Sequence, residues 1–260
     1  MSGPSKRALH VAKAETKELV DQGATAVILT GSHASGSANE YSDLDLRVIG
    51  KGPSKVLKRH EEFLVSVSWM TLDEHEDGFT DPEEVGSVVP GWTSALILHD
   101  PHGHAARLKE KAEAWKWDEI ADKCDEWVAE QTVELAEEIH TVLGNLEQDK
   151  PAAAAAERSQ IAMGLAQALS VHKRIAYESE NDLWDLVADA MGGRYGELQS
   201  KSLAQDDITL KDSLGAVMQL FAIGAAETQH LLNDEQRAVV ARACELAGYP
   251  LVPKPAELTD

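Results

Sequence analysis

The stretch that decides the fold is residues 24–49, ATAVILTGSHASGSANEYSDLDLRVI. It begins with a short apolar run, rich in β-branched residues, that ends at Thr30 and predicts a buried strand. Gly31 and Ser32 interrupt the run, and a stretch of small residues follows. Residues 44–49 then alternate between apolar and polar types. The stretch therefore predicts a strand, a turn and a second strand.

Two aspartates stand at the start of the second predicted strand. Asp43 and Asp45 are two residues apart, so their side chains share a face, about 6.5–7 Å apart along the backbone. Carboxylates placed together repel each other unless a cation joins them, and Mg²⁺ suits one or two carboxylates with phosphate oxygens and water. Gly31 allows the backbone to approach a ligand, and Ser32 adds a hydroxyl beside N–H groups that favour anions. This arrangement suits phosphoryl or nucleotidyl transfer, although a solvated polar face is the alternative.

Three other segments complete a mixed α/β pattern in residues 1–117. Residues 6–22 carry the periodicity of an amphipathic helix. Residues 63–70 alternate like a strand, and residues 93–99 form a short apolar run. We therefore expect an α+β domain over residues 1–117, in which helices flank the sheet.

The pattern becomes helical in residues 118–260. Apolar residues recur at three- and four-residue spacing in five segments, which are 118–147, 152–178, 181–192, 209–230 and 233–247. This predicts a helical-bundle domain over residues 118–260, and a cleft between two domains is a natural place for a ligand.

The charge restricts the partners. The chain has 24 basic and 45 acidic side chains, for a net charge of −21. Residues 1–117 carry 13 basic and 18 acidic side chains, and residues 118–260 carry 11 and 27. Such a field repels duplex nucleic acid. The excess of acidic side chains in residues 118–260 has two interpretations. It serves solubility or adaptation to salt, or it forms an acidic surface that attracts a cationic ligand.

Several classes of protein are not expected. No window holds 18 consecutive apolar residues, and the amino-terminal residues lack the apolar core of a secretory signal. Cys124 and Cys244 are far apart and form no CxxC motif, which argues against a disulfide framework and a thiolate zinc site. We expect a cytoplasmic protein without a membrane partner.

Gly31-Ser32, Tyr41-Ser42 and residues 43–46 resemble the signature of the polymerase-β-like nucleotidyltransferase superfamily. The resemblance is closest to its bacterial antibiotic nucleotidyltransferases, which act on aminoglycosides and lincosamides. Residues 95–103 are similar to the last strand and turn of that family's catalytic domain, so the resemblance covers roughly residues 24–110.

The resemblance implies a mixed sheet and an ATP molecule bound between the domains. It implies that Gly31, Ser32 and Ser42 contact the triphosphate and that Asp43 and Asp45 hold Mg²⁺. A hydroxyl of the acceptor would attack the α-phosphate and expel pyrophosphate.

In the family a third carboxylate often lies where this chain has Ser66, and serine is neither a strong metal ligand nor a base at neutral pH. Three explanations stay open. The base comes from the first long helix, where Glu130, Glu134, Glu137 and Glu138 are the candidates. Alternatively, Glu61 or Glu62 supplies it, or the chain only binds nucleotide.

Two cations late in a long helix have two interpretations. Lys173 and Arg174 lie where the helix dipole favours positive charge, or one of them reaches the triphosphate.

The function expected from all these features is Mg²⁺-dependent transfer of AMP from ATP to a small acceptor. An aminoglycoside would complement the acidic second half. The alternatives are transfer to a protein or RNA, as in toxin–antitoxin members, and a degenerate nucleotide-binding scaffold.

Overall fold

The chain divides into two units in a computed structural model that describes residues 5–205 and 207–251. The first unit is Met1–Glu119 together with Ala176–Asp182, and the second is Ile120–Ile175 together with Leu183–Asp260. The sequence pattern placed a boundary after residue 117 and did not indicate that a later segment belongs to the first unit.

A five-stranded mixed sheet forms the centre of the first unit, in the order β3-β4-β2-β1-β5. The strands are β1 (Ala26–Thr30), β2 (Leu44–Ile49), β3 (Lys55–His60), β4 (Phe63–Met70) and β5 (Leu96–His99). Strands β2 and β4 are parallel, and the other neighbouring pairs are antiparallel. The predicted α+β class with a mixed sheet is confirmed.

Helices cover both faces of this sheet. They are α1 (Lys6–Asp21), α2 (Gly31–Ser35), α3 (Leu72–Asp77), α4 (Val85–Thr93) and α5 (His104–Ala114). Helix α1 packs on one face, where the alternation of β2 buries Leu44, Leu46 and Val48. The other face packs against α4 and α5 through a second core that contains Ile28 and Ile49. Since this second core covers only part of the face, the rest is open to polar side chains.

The strand predictions missed β3 and misplaced the start of β5. The residues of β3 are KVLKRH, which alternate between exposed and half-buried positions along the edge of the sheet. Its charged residues are typical of an edge strand, where they discourage pairing with another chain. The run predicted at 93–99 begins as a strand only at Leu96, because α4 extends to Thr93.

The second unit contains α6 (Ala121–Glu147), α7 (Pro151–His172), α9 (Gly193–Ser202), α10 (Leu210–Thr228), α11 (Asp234–Leu246) and most of α8 (Glu180–Met191). The predicted helical character of this region is confirmed. Within the described residues, no helix combines the length and the hydropathy that a membrane crossing requires.

Two helix boundaries differ from the prediction. Helix α7 was expected to reach residue 178 but ends at His172, because Arg174 adopts a left-handed backbone with φ of +56°. Helix α9 was not predicted, because the two glycines at 192–193 indicated a stop. Gly192 has φ of +90° and separates α8 from α9.

Alanine substitutions at two glycines of α10 should change the stability of the second unit in opposite directions. A Cβ at Gly224 would lie 2.5 Å from Cδ1 of the buried Leu165, whereas a Cβ at Gly215 would meet nothing within 4 Å. We expect Gly224→Ala to lower the free energy of unfolding by about 1–3 kcal/mol through overpacking. Gly215→Ala should raise it by up to about 1 kcal/mol through helix propensity. Urea denaturation of both variants measures the difference, and equal effects would contradict this packing.

Candidate active site

The open part of the sheet face carries a row of polar side chains across three strands. Backbone pairing places Thr30 of β1 beside Asp45 of β2, and Asp45 beside Ser66 of β4. We call Thr30, Asp45 and Ser66 the carboxylate row. The parallel pairing of β2 with β4 therefore puts a serine next to the central carboxylate, at the position where the family resemblance implied a third carboxylate.

A second row lies two residues further along the strands. Arg47 of β2 pairs with Ser68 of β4, and Ser68 pairs with Lys55 of β3. We call Arg47, Ser68 and Lys55 the donor row, because all three side chains carry hydrogen-bond donors. Two residues along a strand correspond to about 6.4–6.8 Å, so the two rows are close enough to contact one ligand.

A cavity of about 480 Å³ opens over both rows. All the residues that line it belong to the first unit. They are Thr30, Gly31, Asp43, Asp45, Leu46, Arg47, Lys55, Ser66, Ser68, Ser87, Gly91, Glu178, Ser179, Glu180 and Asn181. Helix α4 and the segment 176–182 therefore form the walls, and the sheet forms the floor.

Asp45 is held in an environment that disfavours its negative charge. Burial raises the pKa of Asp45, and the neighbouring carboxylate of Asp43 raises it further. A hydrogen bond from the Ser66 hydroxyl and the positive charges of Arg47 and Lys55 oppose this increase in the pKa. A cation bound between the two aspartates would relieve the repulsion.

The donor set fits a magnesium ion that is completed by a ligand. Asp43 and Asp45 both line the cavity and can supply carboxylate oxygens. Within the described ranges, no group of three or more histidine, cysteine, aspartate or glutamate side chains is placed to hold a metal. The remaining positions would therefore come from phosphate oxygens and water, as is usual for Mg²⁺.

Gly31 provides the close approach that the turn after β1 requires. Its φ is +66°, and a Cβ there would lie 2.5 Å from Oδ2 of Asp45. Any larger residue would meet both a strained backbone and this carboxylate oxygen. The structure thus places Gly31 directly beside Asp45, in the cavity.

Ser32 and Ser42, the other residues predicted to contact the nucleotide in this region, make hydrogen bonds within the loop between β1 and β2. The carbonyl of Ser32 accepts hydrogen bonds from the N–H groups of Gly36 and Ser37 at 2.9 and 3.0 Å. The hydroxyl of Ser42 accepts one from the N–H of Asn39 at 2.9 Å. These bonds shape the loop, and contact of Ser32 and Ser42 with a nucleotide stays a prediction.

His75 of α3 is a buried neutral group near Arg47. Burial lowers the pKa of His75 to about 4, and the positive charge of Arg47 contributes to this decrease. The imidazole also donates a hydrogen bond to the carbonyl of Val48. Burial lowers the pKa of Arg47 as well, but an arginine side chain stays charged in proteins. The positive charge beside His75 is therefore that of the guanidinium.

Four of the predicted site residues belong to the second unit and do not line this cavity. Glu134 and Glu137 are exposed on α6, where Glu134 accepts a hydrogen bond from the Gln131 side chain at 3.0 Å. Lys173 donates to Glu227 at 2.5 Å. Arg174 likewise donates to Asp125 at 2.6 Å. The structure thus pairs both cations with carboxylates of their own unit.

Glu61 and Glu62, the other candidates for the base, lie in the turn between β3 and β4. Both are within ion-pair distance of Arg7, at 3.2 and 2.5 Å. Neither lines the cavity.

Glu178 and Glu180 were not predicted as site residues, and both line the cavity. The N–H of Tyr177 donates to the carbonyl of Gly86 at 2.9 Å and fastens this segment to α4. The helical periodicity predicted a helix through residue 178, so the start of segment 176–182 was assigned to that helix and not to the site. The only local signal is the pair of carboxylates two residues apart.

Comparison with known proteins supports a nucleotidyl-transfer domain. Residues 12–89 match the model of the nucleotidyltransferase domain family. This confirms the predicted resemblance to the polymerase-β-like nucleotidyltransferase superfamily, and the matched segment contains Gly31, Asp43 and Asp45. The narrower resemblance to antibiotic nucleotidyltransferases stays a prediction.

A solved structure is also similar, namely a nucleotidyltransferase-like protein from Exiguobacterium sibiricum 255-15. The identity is 13%, the TM-score is 0.49, and the match covers 92% of this chain and 78% of that chain. No match was found among curated proteins.

The contact between Gly31 and Asp45 is tested by comparing alanine substitutions at two glycines, Gly31 and Gly103, that have nearly the same positive φ. Gly103 has φ of +68° and would place a Cβ with nothing within 4 Å. Both alanine variants should lose about 1–2 kcal/mol of stability through the left-handed conformation. Only Gly31→Ala should also weaken Mg²⁺ binding, because it displaces the Asp45 carboxylate. Urea denaturation and Mg²⁺ titration calorimetry measure the two effects, and equal Mg²⁺ affinity in both variants would contradict the contact.

Proposed function

We propose that this protein is a Mg²⁺-dependent nucleotidyltransferase that moves AMP from ATP to a hydroxyl group of a small acceptor. The observation that carries the proposal is the position of Asp43 and Asp45 beside Gly31 in a cavity of the matched domain. The proposal includes a cytoplasmic location, where ATP and Mg²⁺ are available.

Each residue of the turn and the strand has a role in this proposal. Asp43 and Asp45 hold Mg²⁺, which when bound neutralises charge on the phosphates. Gly31 and Ser32 contact the triphosphate and orient its α-phosphorus toward the acceptor. The acceptor oxygen forms a bond to that phosphorus, the bond to the pyrophosphate breaks, and the hydroxyl proton passes to a base. Most of the rate enhancement then comes from positioning and electrostatics.

Glu178 and Glu180 are the residues that we assign to the base. Ser66 occupies the floor where a carboxylate was implied, and its hydroxyl donates to Asp45 rather than accepting a proton. The wall of the same cavity carries the two glutamates. This assignment takes the place of Glu134 and Glu137 as first candidates.

An aminoglycoside-type antibiotic is the acceptor that the charge favours. The net charge of the chain is −21, and two glutamates line the cavity wall. A polycationic acceptor would be attracted by both features.

Transfer of label from α-³²P-ATP tests the proposed reaction. The full chain is incubated with Mg²⁺ and a panel of aminoglycosides and lincosamides. Labelled drug should form with the wild type, and Asp43→Asn or Asp45→Asn should lower the rate about a hundredfold or more, because metal stabilisation is worth several kcal/mol. Asp21→Asn, which removes an exposed carboxylate of α1, is the matched control and should keep the wild-type rate.

The other outcomes discriminate among the alternatives. Label on protein or RNA would favour the modification of a macromolecule. Tight MgATP binding without transfer to any acceptor would support a nucleotide-binding scaffold. The absence of both transfer and MgATP binding would contradict the proposal.

Substitution of the wall glutamates tests the base separately. We expect Glu178→Gln or Glu180→Gln to lower kcat about 10²–10⁴-fold, the usual contribution of a general base. The dissociation constant for MgATP should stay unchanged, because the metal ligands remain. Glu113→Gln on α5 is the control for the loss of an exposed carboxylate. If neither glutamate variant is slower than this control, the base lies elsewhere.

A further inference from the structure

The guanidinium of Arg47 lies on the cavity floor beneath α4. A Cβ built on Gly91 of α4 would be 3.8 Å from both Nη1 and Nη2 of Arg47. Arg47 also lines the cavity, so its nitrogen atoms are accessible from that side. The side chain is therefore enclosed by the sheet and the helix and open toward a ligand.

Arg47 lacks the partners that an enclosed cation normally has. Its nearest opposite charges are Asp45 and Glu84. In the part of the chain that the structure describes, residues 5–205 and 207–251, the guanidinium of Arg47 makes no ion pair within 4.0 Å and no side-chain hydrogen bond. Arg47 is half-buried, and even the partial desolvation of a charge without a partner costs free energy. A fold that keeps such a group is expected to satisfy it with something else.

The other members of the donor row point to the chemistry of that partner. Arg47, Ser68 and Lys55 pair across three neighbouring strands, and all three line the cavity. Lys55, too, has no ion pair among the described residues. Five N–H groups, a hydroxyl and an ammonium group suit an oxyanion, and a guanidinium favours two-point contact with phosphate or carboxylate.

We propose that Arg47, Ser68 and Lys55 form an anion subsite that holds a phosphate or carboxylate group of the molecule bound at Asp43 and Asp45. The subsite rests on the proposed function, because it adds a second contact to that site. The two rows lie about 6.4–6.8 Å apart along the strands, so a ligand bound at the aspartates can extend an anionic group to the donor row. Either the triphosphate or an acidic group on the acceptor satisfies this spacing.

The two sources have different consequences for the acceptor. If the triphosphate occupies the subsite, a cationic acceptor is compatible with the wall carboxylates. If the acceptor supplies the anion, the acceptor is an acidic hydroxy compound and not a purely cationic antibiotic.

Binding of simple anions to the full chain tests the subsite. Calorimetry measures MgATP with Mg²⁺ present, and inorganic phosphate both without metal and with saturating MgATP. We expect Arg47→Gln to weaken at least one of these ligands about 10- to 100-fold, the effect of losing a hydrogen bond to a charged group. Lys55→Gln should act in the same direction. Arg107→Gln, which removes an exposed arginine of α5, is the matched control.

The pattern of losses identifies the source. A loss for MgATP assigns the subsite to the triphosphate. A loss only for phosphate added on top of MgATP assigns it to the acceptor. If Arg47→Gln matches the Arg107→Gln control for every ligand, the subsite is overturned.

Thermal unfolding separates this role from a structural one. Because Arg47 is an enclosed charge without a partner, Arg47→Met should keep or raise the Tm of the ligand-free protein, and Arg47→Lys should restore part of the anion affinity. A lower Tm in Arg47→Met, together with an anion affinity in Arg47→Lys no higher than in Arg47→Gln, would overturn the proposal. Failure of the proposed function is distinct, since it appears as MgATP binding that Asp45→Asn does not change, whereas metal-free phosphate binding depends on the donor row and not on the aspartates.

Discussion

The alternation of side chains along β2 is the constraint on which the rest of the first unit depends. Leu44, Leu46 and Val48 enter the core beneath α1, so Asp45 and Arg47 must emerge on the opposite face. A slip of one residue in the pairing would bury both charges and expose the core, which fixes the register strongly. The same register aligns the serines of β4 with these charges.

The cations predicted to bind nucleotide and the cations of the cavity differ in whether they are paired with carboxylates. Lys173 and Arg174 of the second unit are paired with carboxylates at 2.5 and 2.6 Å. Arg47 and Lys55 of the first unit line a cavity without such a pair among the described residues. Because a partly desolvated charge is normally satisfied, the half-buried Arg47 favours a ligand as its partner, whereas the exposed Lys55 is accessible to both water and a ligand.

Net charge alone could not describe the site. The chain is strongly acidic, yet the cavity floor presents Arg47 and Lys55, and the wall presents Glu178 and Glu180. Both signs lie within one cavity of about 480 Å³. A ligand that carries both an anionic group and a cationic or hydroxyl-rich part would use all of it. The total charge acts at long range, while contacts inside the cavity decide which groups are accepted.

The sequence by itself determined the features that depend on short-range periodicity. The strands around residues 24–49, Gly31 and the two aspartates follow from alternation and from a break in an apolar run, and the helical character of the second half follows from its three- and four-residue spacing. The tertiary structure decided which distant residues meet. Edge strand β3 reaches the site only by pairing with β4, and the segment 176–182 reaches it because a left-handed residue ends α7 early. Such contacts depend on pairing and packing between segments far apart in the chain, which no local pattern encodes.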